Sequence, residues 1–499
     1  MRFGKFLLLL LACGLTGSPA SARPNVLLIL VDDLRPALGA YGDKAAVTPN
    51  MDRLAARGLR CDLAYCNISV CAPSRFTLMT GCRPTTLGIY GFHSDFRRTF
   101  PSAVTLPQHF KNHGYQAEAI GKAYHFGHGC QDDAPSWSTP TRRDLVIEYL
   151  LPESTGGRLT REEALFSNAR VDPKDQPLPR GAAWEAPEGG DDAHADGRTA
   201  AAAVRRLQAA KTNPGQPFFL VVGFARPHLP FSAPKKYWNL HDPARLPMPA
   251  FEQAPEGAPP FALKRGGEIE NYSPIPAGKS AVPYPDSLKR QLIHGYYAST
   301  SYVDAQIGRV IAALDETGLA DNTIVILWGD HGFLLGEMNS WTKHCNYELA
   351  NHIPLLIIAP GVTTPGSSTR QLVETVDLYP TLAALAGLPA PPGPQPQDGL
   401  SLVPVLKNPD IRIRDHAFHC FPRPQGNRLG RAIRTEHHRL VEWLEIGGRR
   451  EDAVLELYDY ADGPVEKRNL AAEKPELVQK LRALLDRHPP PRRPGGNAR

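Results

Sequence analysis

The chain has 499 residues, 42% hydrophobic and 21% charged, with a formal net charge of +5. That composition belongs to a folded globular protein and excludes a disordered or fibrous chain. Acids and bases nearly balance, and no basic stretch is interleaved with aromatics, which argues against nucleic-acid binding.

The N-terminus carries Arg2 and Lys5, then an apolar run from Phe6 to Leu11, then Ala20-Ser21-Ala22. This is the pattern of an export signal cleaved after Ala22. Residues 1–22 are therefore expected to be a signal peptide and the protein periplasmic or extracellular. A buried N-terminal strand or helix is the plainer alternative, and Cys13 after Leu10-Leu11-Ala12 also resembles a lipoprotein cleavage site. The apolar run is shorter than the ~20 residues that span a bilayer. No other segment reads as transmembrane, so no stable membrane span is expected.

Val26–Val31 is the first short apolar run. Thr48 and Pro49 then open a helix that Gly58 closes. Cys71-Ala72-Pro73-Ser74-Arg75 comes next, and Pro73 suits the first turn of a helix. Cys71 would then sit at a helix N-terminus, where free N–H groups and the macrodipole favour an anion. Arg75 lies one turn along. Taken alone, Cys71 reads equally as a core or disulfide residue. Gly197–Ala210 is an Ala-rich amphipathic helix and Phe218–Phe224 the second apolar run. The Pro- and Gly-rich stretch His241–Asp286 is too long for a connector and reads as a surface excursion near the site. Tyr302–Leu314 sets Ile307, Ile311 and Leu314 on one helical stripe that Gly318 ends. Thr323–Trp328 and Pro354–Ala359 are the third and fourth apolar runs.

Such short branched runs read as strands buried on both faces, and their alternation with helices predicts an α/β sandwich. The Pro-rich stretch Pro389–Pro396 marks a boundary, giving a catalytic domain over 23–396 and a small α+β domain over 397–499. In the latter, Leu440–Trp443 and Val454–Tyr458 read as strands. Pro475–His488 reads as a helix with Leu477, Leu481, Leu484 and Leu485 on one side. Leaving aside Cys13 and Cys71, the cysteines Cys61, Cys66, Cys82, Cys130, Cys345 and Cys420 form an even set that allows disulfides of undetermined pairing. No C-x-x-C occurs, which argues against a thiolate zinc site.

In open α/β sheets ligands bind beyond the carboxyl ends of the strands. The first run is followed by Asp32-Asp33, the second by Arg226-Pro227-His228 and the third by Gly329-Asp330-His331-Gly332; the fourth leads only to Pro360-Gly361. Adjacent carboxylates are costly unless a cation neutralises them. Asp32, Asp33 and Asp330 thus suggest an oxygen-rich site for Ca²⁺ or Mg²⁺. The plainer reading is that Asp32 and Asp33 cap a following helix.

Cys71-x-Pro73-x-Arg75 resembles the signature of formylglycine-dependent (type I) sulfatases, in which the cysteine is oxidised to Cα-formylglycine. Further stretches carry the likeness in order: Val31-Asp32-Asp33-Leu34-Arg35-Pro36, Tyr41-Gly42-Asp43-Lys44, Gly121-Lys122-Ala123-Tyr124-His125, Pro227-His228-Leu229-Pro230-Phe231, Asp330-His331-Gly332 and Trp341-Thr342-Lys343. The chain is most similar to the iduronate-2-sulfatase branch and its bacterial relatives. The resemblance implies an alkaline-phosphatase-like sandwich with a mostly parallel central sheet between helices. It implies one divalent ion, usually Ca²⁺, held by Asp32, Asp33, Asp330, His331 and modified Cys71. It places Lys122, His228 and Lys343 on the sulfate oxygens, with His125 and Arg75 positioning and deprotonating the formylglycine diol. The implied partners are a sulfated carbohydrate and a formylglycine-generating or equivalent maturase. Outside this constellation each of those lysines and histidines would read as surface charge or a structural ring.

The chain departs from relatives that read Gly-Glu-His-Gly where it has Gly336-Glu337-Met338-Asn339, a position expected near the substrate mouth. Phe126-Gly127-His128-Gly129 after His125 is expected to reshape the pocket. A phosphodiesterase or phosphonate hydrolase with the same metal core, and a non-catalytic glycan-binding protein, are the competing readings.

Overall fold

Every residue of strand β1 (Asn25–Val31) is buried. Val26, Leu28 and Leu30 face one hydrophobic cluster and Leu27, Ile29 and Val31 another, because alternate side chains leave opposite faces of a strand. A strand apolar on both faces needs cover on both. The computed structural model describes residues 23–142, 149–160, 178–276, 282–423 and 427–494, and supplies that cover. The expected signal peptide lies outside the described residues.

After β1 come β2 (Leu59–Tyr65), β3 (Gln116–Gly121), β4 (Trp184–Glu185), β5 (Phe218–Phe224), β6 (Phe231–Ser232), β7 (Thr323–Gly329), β8 (Leu355–Ile358) and β9 (Ser367–Glu374). Seven of these form one sheet in the order β3-β5-β1-β7-β8-β2-β9. Helices Cys71–Thr80, Leu106–Asn112 and Leu378–Leu385 cover one face through residues such as Phe76, Phe110 and Leu382. Helices Pro49–Ala55, Ala195–Lys211 and Asp286–Glu316 cover the other through Leu54, Leu207, Val303 and Ile307.

All pairings in the large sheet are parallel except those of β8, which runs antiparallel to both β7 and β2. The other six strands therefore end on one edge. The reversed direction explains why the fourth apolar run leads to no reactive residue.

The helix expected at Tyr302–Leu314 is the last part of a 31-residue helix, Asp286–Glu316. Its residues Gly295–Asp304 are all buried, and a helix buried all round shows no polar–apolar stripe. Its first half packs Leu292, Ile293, Tyr296 and Tyr297 against Ile269, Tyr272 and Trp341.

The C-terminal sheet is an antiparallel meander of β10 (Ala417–Arg423), β11 (Arg428–Arg434), β12 (His438–Glu445) and β13 (Val454–Asp459). Helix Pro475–Leu485 covers one face with Val478, Leu481, Leu484 and Leu485; Leu477, expected on that stripe, is only partly buried. The opposite face sets Ala432, Val441, Trp443 and Tyr458 against Leu334, Met338, Cys345 and Tyr347 of the large domain. The expected boundary near Gln397 precedes Leu402, Val405 and Leu406, which still pack into the large-sheet core. The seven described cysteines are free, buried thiols, so no disulfide forms among them. No helix among the described residues is long and apolar enough to cross a membrane.

Glu348 ties the two domains together. Its carboxylate accepts from Arg434 Nε at 2.9 Å and from Arg439 Nη2 at 2.8 Å, and all three side chains are almost wholly buried. Removing one partner of a buried ion pair strands the other charge at a cost of about 3–5 kcal/mol. Glu348→Ala is therefore expected to lower the melting temperature sharply in differential scanning calorimetry, and an unchanged transition would show that the network carries no stability.

Candidate active site

The ends of the parallel strands converge on one buried cluster. Asp32 and Asp33 follow β1, Lys122 follows β3, His228 lies just beyond β5, and Asp330 and His331 follow β7. The loop after β2 leads to Cys71, the first residue of helix Cys71–Thr80. Consecutive residues of an extended strand point apart. Asp32 and Asp33 nonetheless share one site because Asp33 adopts a left-handed backbone, φ 60°, a conformation Asp tolerates better than most residues. Its amide donates to Asp330 Oδ1 at 3.0 Å, and the residues that follow form a turn, so the pair caps no helix.

One ligand atom from each of Asp32, Asp33, Cys71 and His331 lies within 4.8 Å of the other three, and all four residues are buried. His331 Nε2 is 3.1 Å from Cys71 Sγ, 3.5 Å from Asp33 Oδ1 and 3.7 Å from Asp330 Oδ1. Its Nδ1 donates to the Gly332 carbonyl at 3.0 Å. A carbonyl accepts only, so in the neutral ring the Nε2 lone pair points into the cluster, as a metal ligand requires. Burial lowers the His331 pKa to about 4 despite the nearby carboxylates, which keeps the ring neutral. Burial and the neighbouring Asp32 push the Asp330 carboxyl well above its usual range. Buried carboxylates crowded around a neutral imidazole form a donor set suited to a divalent cation.

Cationic side chains surround this cluster. Lys122 Nζ bonds Asp32 Oδ2. Burial raises the Asp32 pKa, but Lys122, His228 and Arg75 together hold it well below the usual range. Arg75 is fully buried and spans the site: Nε donates to Asp330 Oδ2 at 3.0 Å, Nη2 to Asp32 Oδ1 at 3.3 Å and Nη1 to the Lys122 and Ala123 carbonyls. Ser74 Oγ donates to the Asp330 carbonyl at 2.6 Å. Lys343 Nζ donates to Asp33 Oδ1 and Oδ2 at 3.0 and 2.9 Å. Burial and Asp32 raise the Cys71 thiol well above its usual range, against the pull of Lys343 and Lys122.

His125 lies at the edge, with Nε2 3.2 Å from His128 Nδ1 and the Phe92 ring against both imidazoles at 4.9 and 4.7 Å. Burial, with Lys122 and His128 nearby, holds it well below its usual pKa and therefore neutral. His128 therefore packs beside His125, with Phe92 against both rings. The other departure lies elsewhere: Met338 is fully buried in the interface with the small sheet, and Glu337 pairs with Arg35 at 2.8 Å, so this turn packs inward instead of lining an open mouth.

Glu268 was not anticipated from sequence. It lies in the His241–Asp286 excursion, and its carboxylate meets His228 Nε2 at 3.0 Å and Lys343 Nζ at 2.9 Å. The local signal was Gly266-Gly267 just before it, with Gly267 at φ 127°. Nothing in a linear reading ties that turn to His228 or Lys343.

The sulfatase family pattern matches residues 24–388, and the C-terminal pattern of N-sulphoglucosamine sulphohydrolase matches residues 336–488. Human iduronate 2-sulfatase is 34% identical, covering 89% of this chain and 90% of its own. A sulfatase of Formosa agariphila is 30% identical over 93% of this chain and 86% of its own. Two solved structures share the fold. One is a protein in complex with its substrate D-glucosamine-2-N,6-O-disulfate, at TM-score 0.70 and 22% identity over 93% of this chain and 97% of that one. The other is the phosphonate monoester hydrolase of Agrobacterium radiobacter, at TM-score 0.71 and 24% identity over 94% and 96%. The fold alone does not assign a family, but the family match over residues 24–388 and the 34% identity over most of the chain do: this protein belongs to the sulfatase family.

Proposed function

We propose that this sulfatase hydrolyses sulfate monoesters on a sulfated carbohydrate, a glycosaminoglycan or other polysaccharide fragment, after a maturase oxidises Cys71 to Cα-formylglycine. The observation that carries this reading is the seat of Cys71: the first residue of a helix, clustered with Asp32, Asp33 and His331. The carbohydrate class is supported by the relatives named for iduronate 2-sulfatase activity and by the structural neighbour bound to a sulfated glucosamine. The N-terminal pattern supports export to the periplasm or beyond.

Asp32, Asp33, Asp330, His331 and residue 71 would hold one divalent ion. We assign Ca²⁺, because carboxylates dominate the set. When bound, the ion supplies positive charge beside the nucleophile and favours its ionisation. Hydrated formylglycine supplies two hydroxyls on one carbon, one to attack sulfur and one whose later deprotonation releases sulfate. Lys122, Lys343 and His228 donate to the sulfate oxygens and offset their charge, which otherwise repels a nucleophile. His228 faces acceptors with both nitrogens, the Leu229 carbonyl at 2.6 Å and Glu268 at 3.0 Å, so it carries a proton it can give to the leaving alcohol. Lys343 is the second candidate donor. His125, held neutral by its burial, withdraws the proton from the second hydroxyl. Arg75 fixes Asp32 and Asp330 and thereby the position of residue 71.

Peptide mass analysis is expected to find Cys71 as the aldehyde in protein from a host with a maturase, and Cys71→Ala to lose at least about a thousandfold in kcat. Full turnover by Cys71→Ala would end the reading, and faster cleavage of an aryl phosphonate than of an aryl sulfate would move the chain to the competing chemistry. Chelation should abolish turnover and lower the melting temperature, and added Ca²⁺ should restore both, since a bound ion stabilises only the folded state. Lys122→Ala is expected to cut kcat/KM by about a hundredfold, the usual scale for losing a preorganised charge donor; a loss under threefold would place Lys122 outside the sulfate contacts.

A further inference from the structure

Two cations, His228 and Lys343, converge on one point beside the carboxylate cluster, and both are nearly buried, at 5% and 2% side-chain exposure. Like charges brought together away from water repel unless an anion lies between them. That anion is Glu268. One oxygen accepts from His228 Nε2 at 3.0 Å and the other from Lys343 Nζ at 2.9 Å. The remaining valences of both donors are spoken for. Lys343 turns its other N–H bonds to Asp33, and His228 turns Nδ1 to the Leu229 carbonyl.

The chain takes trouble to bring Glu268 there. Ile269, the next residue, is wholly buried against Tyr272, Ile275 and Trp341. The Trp341 amide donates to the Arg265 carbonyl at 2.9 Å, which joins the excursion to the segment carrying Lys343. Gly267, at φ 127°, holds a left-handed backbone that a residue with a side chain rarely adopts, and it turns the chain just ahead of Glu268. His228 is braced from its own side, where Arg226 Nη1 donates to the His228 carbonyl and Nε to that of Ser232, each at 2.9 Å.

We propose that Glu268 is a positioning residue, the counter-anion that holds His228 and Lys343 converged before substrate arrives and releases them to the sulfate group when it binds. This rests on the reading that these two side chains meet the sulfate ester. The carboxylate supplies, in the absence of substrate, the negative charge that the ester later brings. The donors are thereby preorganised and need not gather during the reaction.

The test compares the full-length parent with Glu268→Gln and Glu268→Asp on 4-nitrophenyl sulfate, with formylglycine content matched by mass analysis. Glu268→Gln keeps the shape and removes the charge. Its kcat is expected to fall about ten- to hundredfold, while KM stays within about threefold or decreases, because a competing anion has gone. Glu268→Asp should recover to within about fivefold of the parent kcat, and the melting temperatures of all three should agree within a few degrees. Kinetic constants of Glu268→Gln within twofold of the parent overturn the proposal. So does an equal loss in both variants accompanied by a lower melting temperature, which marks a merely structural role. A parent inert toward every sulfate ester would instead overturn the sulfatase reading and this one with it, whereas an active parent with an unaffected Glu268→Gln removes only the role of Glu268.

Discussion

The structure depends on keeping Asp32, Asp33 and Asp330 ionisable together where water does not reach. At an effective dielectric of about 20, two like charges 4 Å apart repel by about 4 kcal/mol, comparable with a large part of a domain's stability. The chain answers with cations from separate strands and loops: Lys122 on Asp32, Lys343 on Asp33, and Arg75 across Asp32 and Asp330. Arg75 suits the central place because a planar guanidinium can bond two carboxylates and two carbonyls at once, which an ammonium cannot do in fixed geometry. With the carboxylates balanced in this way, a divalent ion joining the site would give it net positive charge, the field that would favour an anionic ester.

Two histidines at this site are shifted in opposite directions by their neighbours. Each directs Nδ1 to a backbone carbonyl, Gly332 for His331 and Leu229 for His228. The difference lies at Nε2. For His331 it faces a thiol and a group of potential metal ligands, and burial keeps the ring neutral. For His228 it faces the carboxylate of Glu268, which raises its pKa against the cost of burial. One ring thus turns a lone pair to its neighbours, and the other meets an acceptor at each nitrogen. The assignment is made by neighbours distant in sequence, not by the residues flanking each histidine.

That distance marks what could be read in the sequence. β1, β5 and β7 were legible because each is almost wholly apolar and is followed within four residues by its reactive side chains. β2 was not, since Leu-Arg-Cys-Asp-Leu-Ala-Tyr mixes polar side chains into a strand, and β3 and β9 carry charges for the same reason. The direction of β8 was invisible, because an apolar run has no arrow. The residues assembled at the site were named because a linear motif carried each of them. Glu268 had no motif. Its role comes from Ile269 being buried and from the Arg265–Trp341 backbone bond, and both are products of the fold.

The small C-terminal sheet bears on the chemistry without contributing a charge to it. Leu334, Met338, Cys345 and Tyr347 bracket Lys343 in sequence, and all four pack against Ala432, Val441, Trp443 and Tyr458 of that sheet. Arg423, at the end of β10, donates to the Phe261 and Ala262 carbonyls at 2.6 and 2.5 Å, just ahead of Glu268. The two loops that meet at the Lys343–Glu268 contact are therefore both seated on the second domain. A short segment carrying a buried lysine would lose several kcal/mol if its ammonium drifted from its partners, so the floor beneath it has to be stiff. A close-packed sheet face with a buried tryptophan provides that stiffness, which a solvated loop could not. On this argument the second domain is the floor on which the Lys343 and Glu268 loops are held.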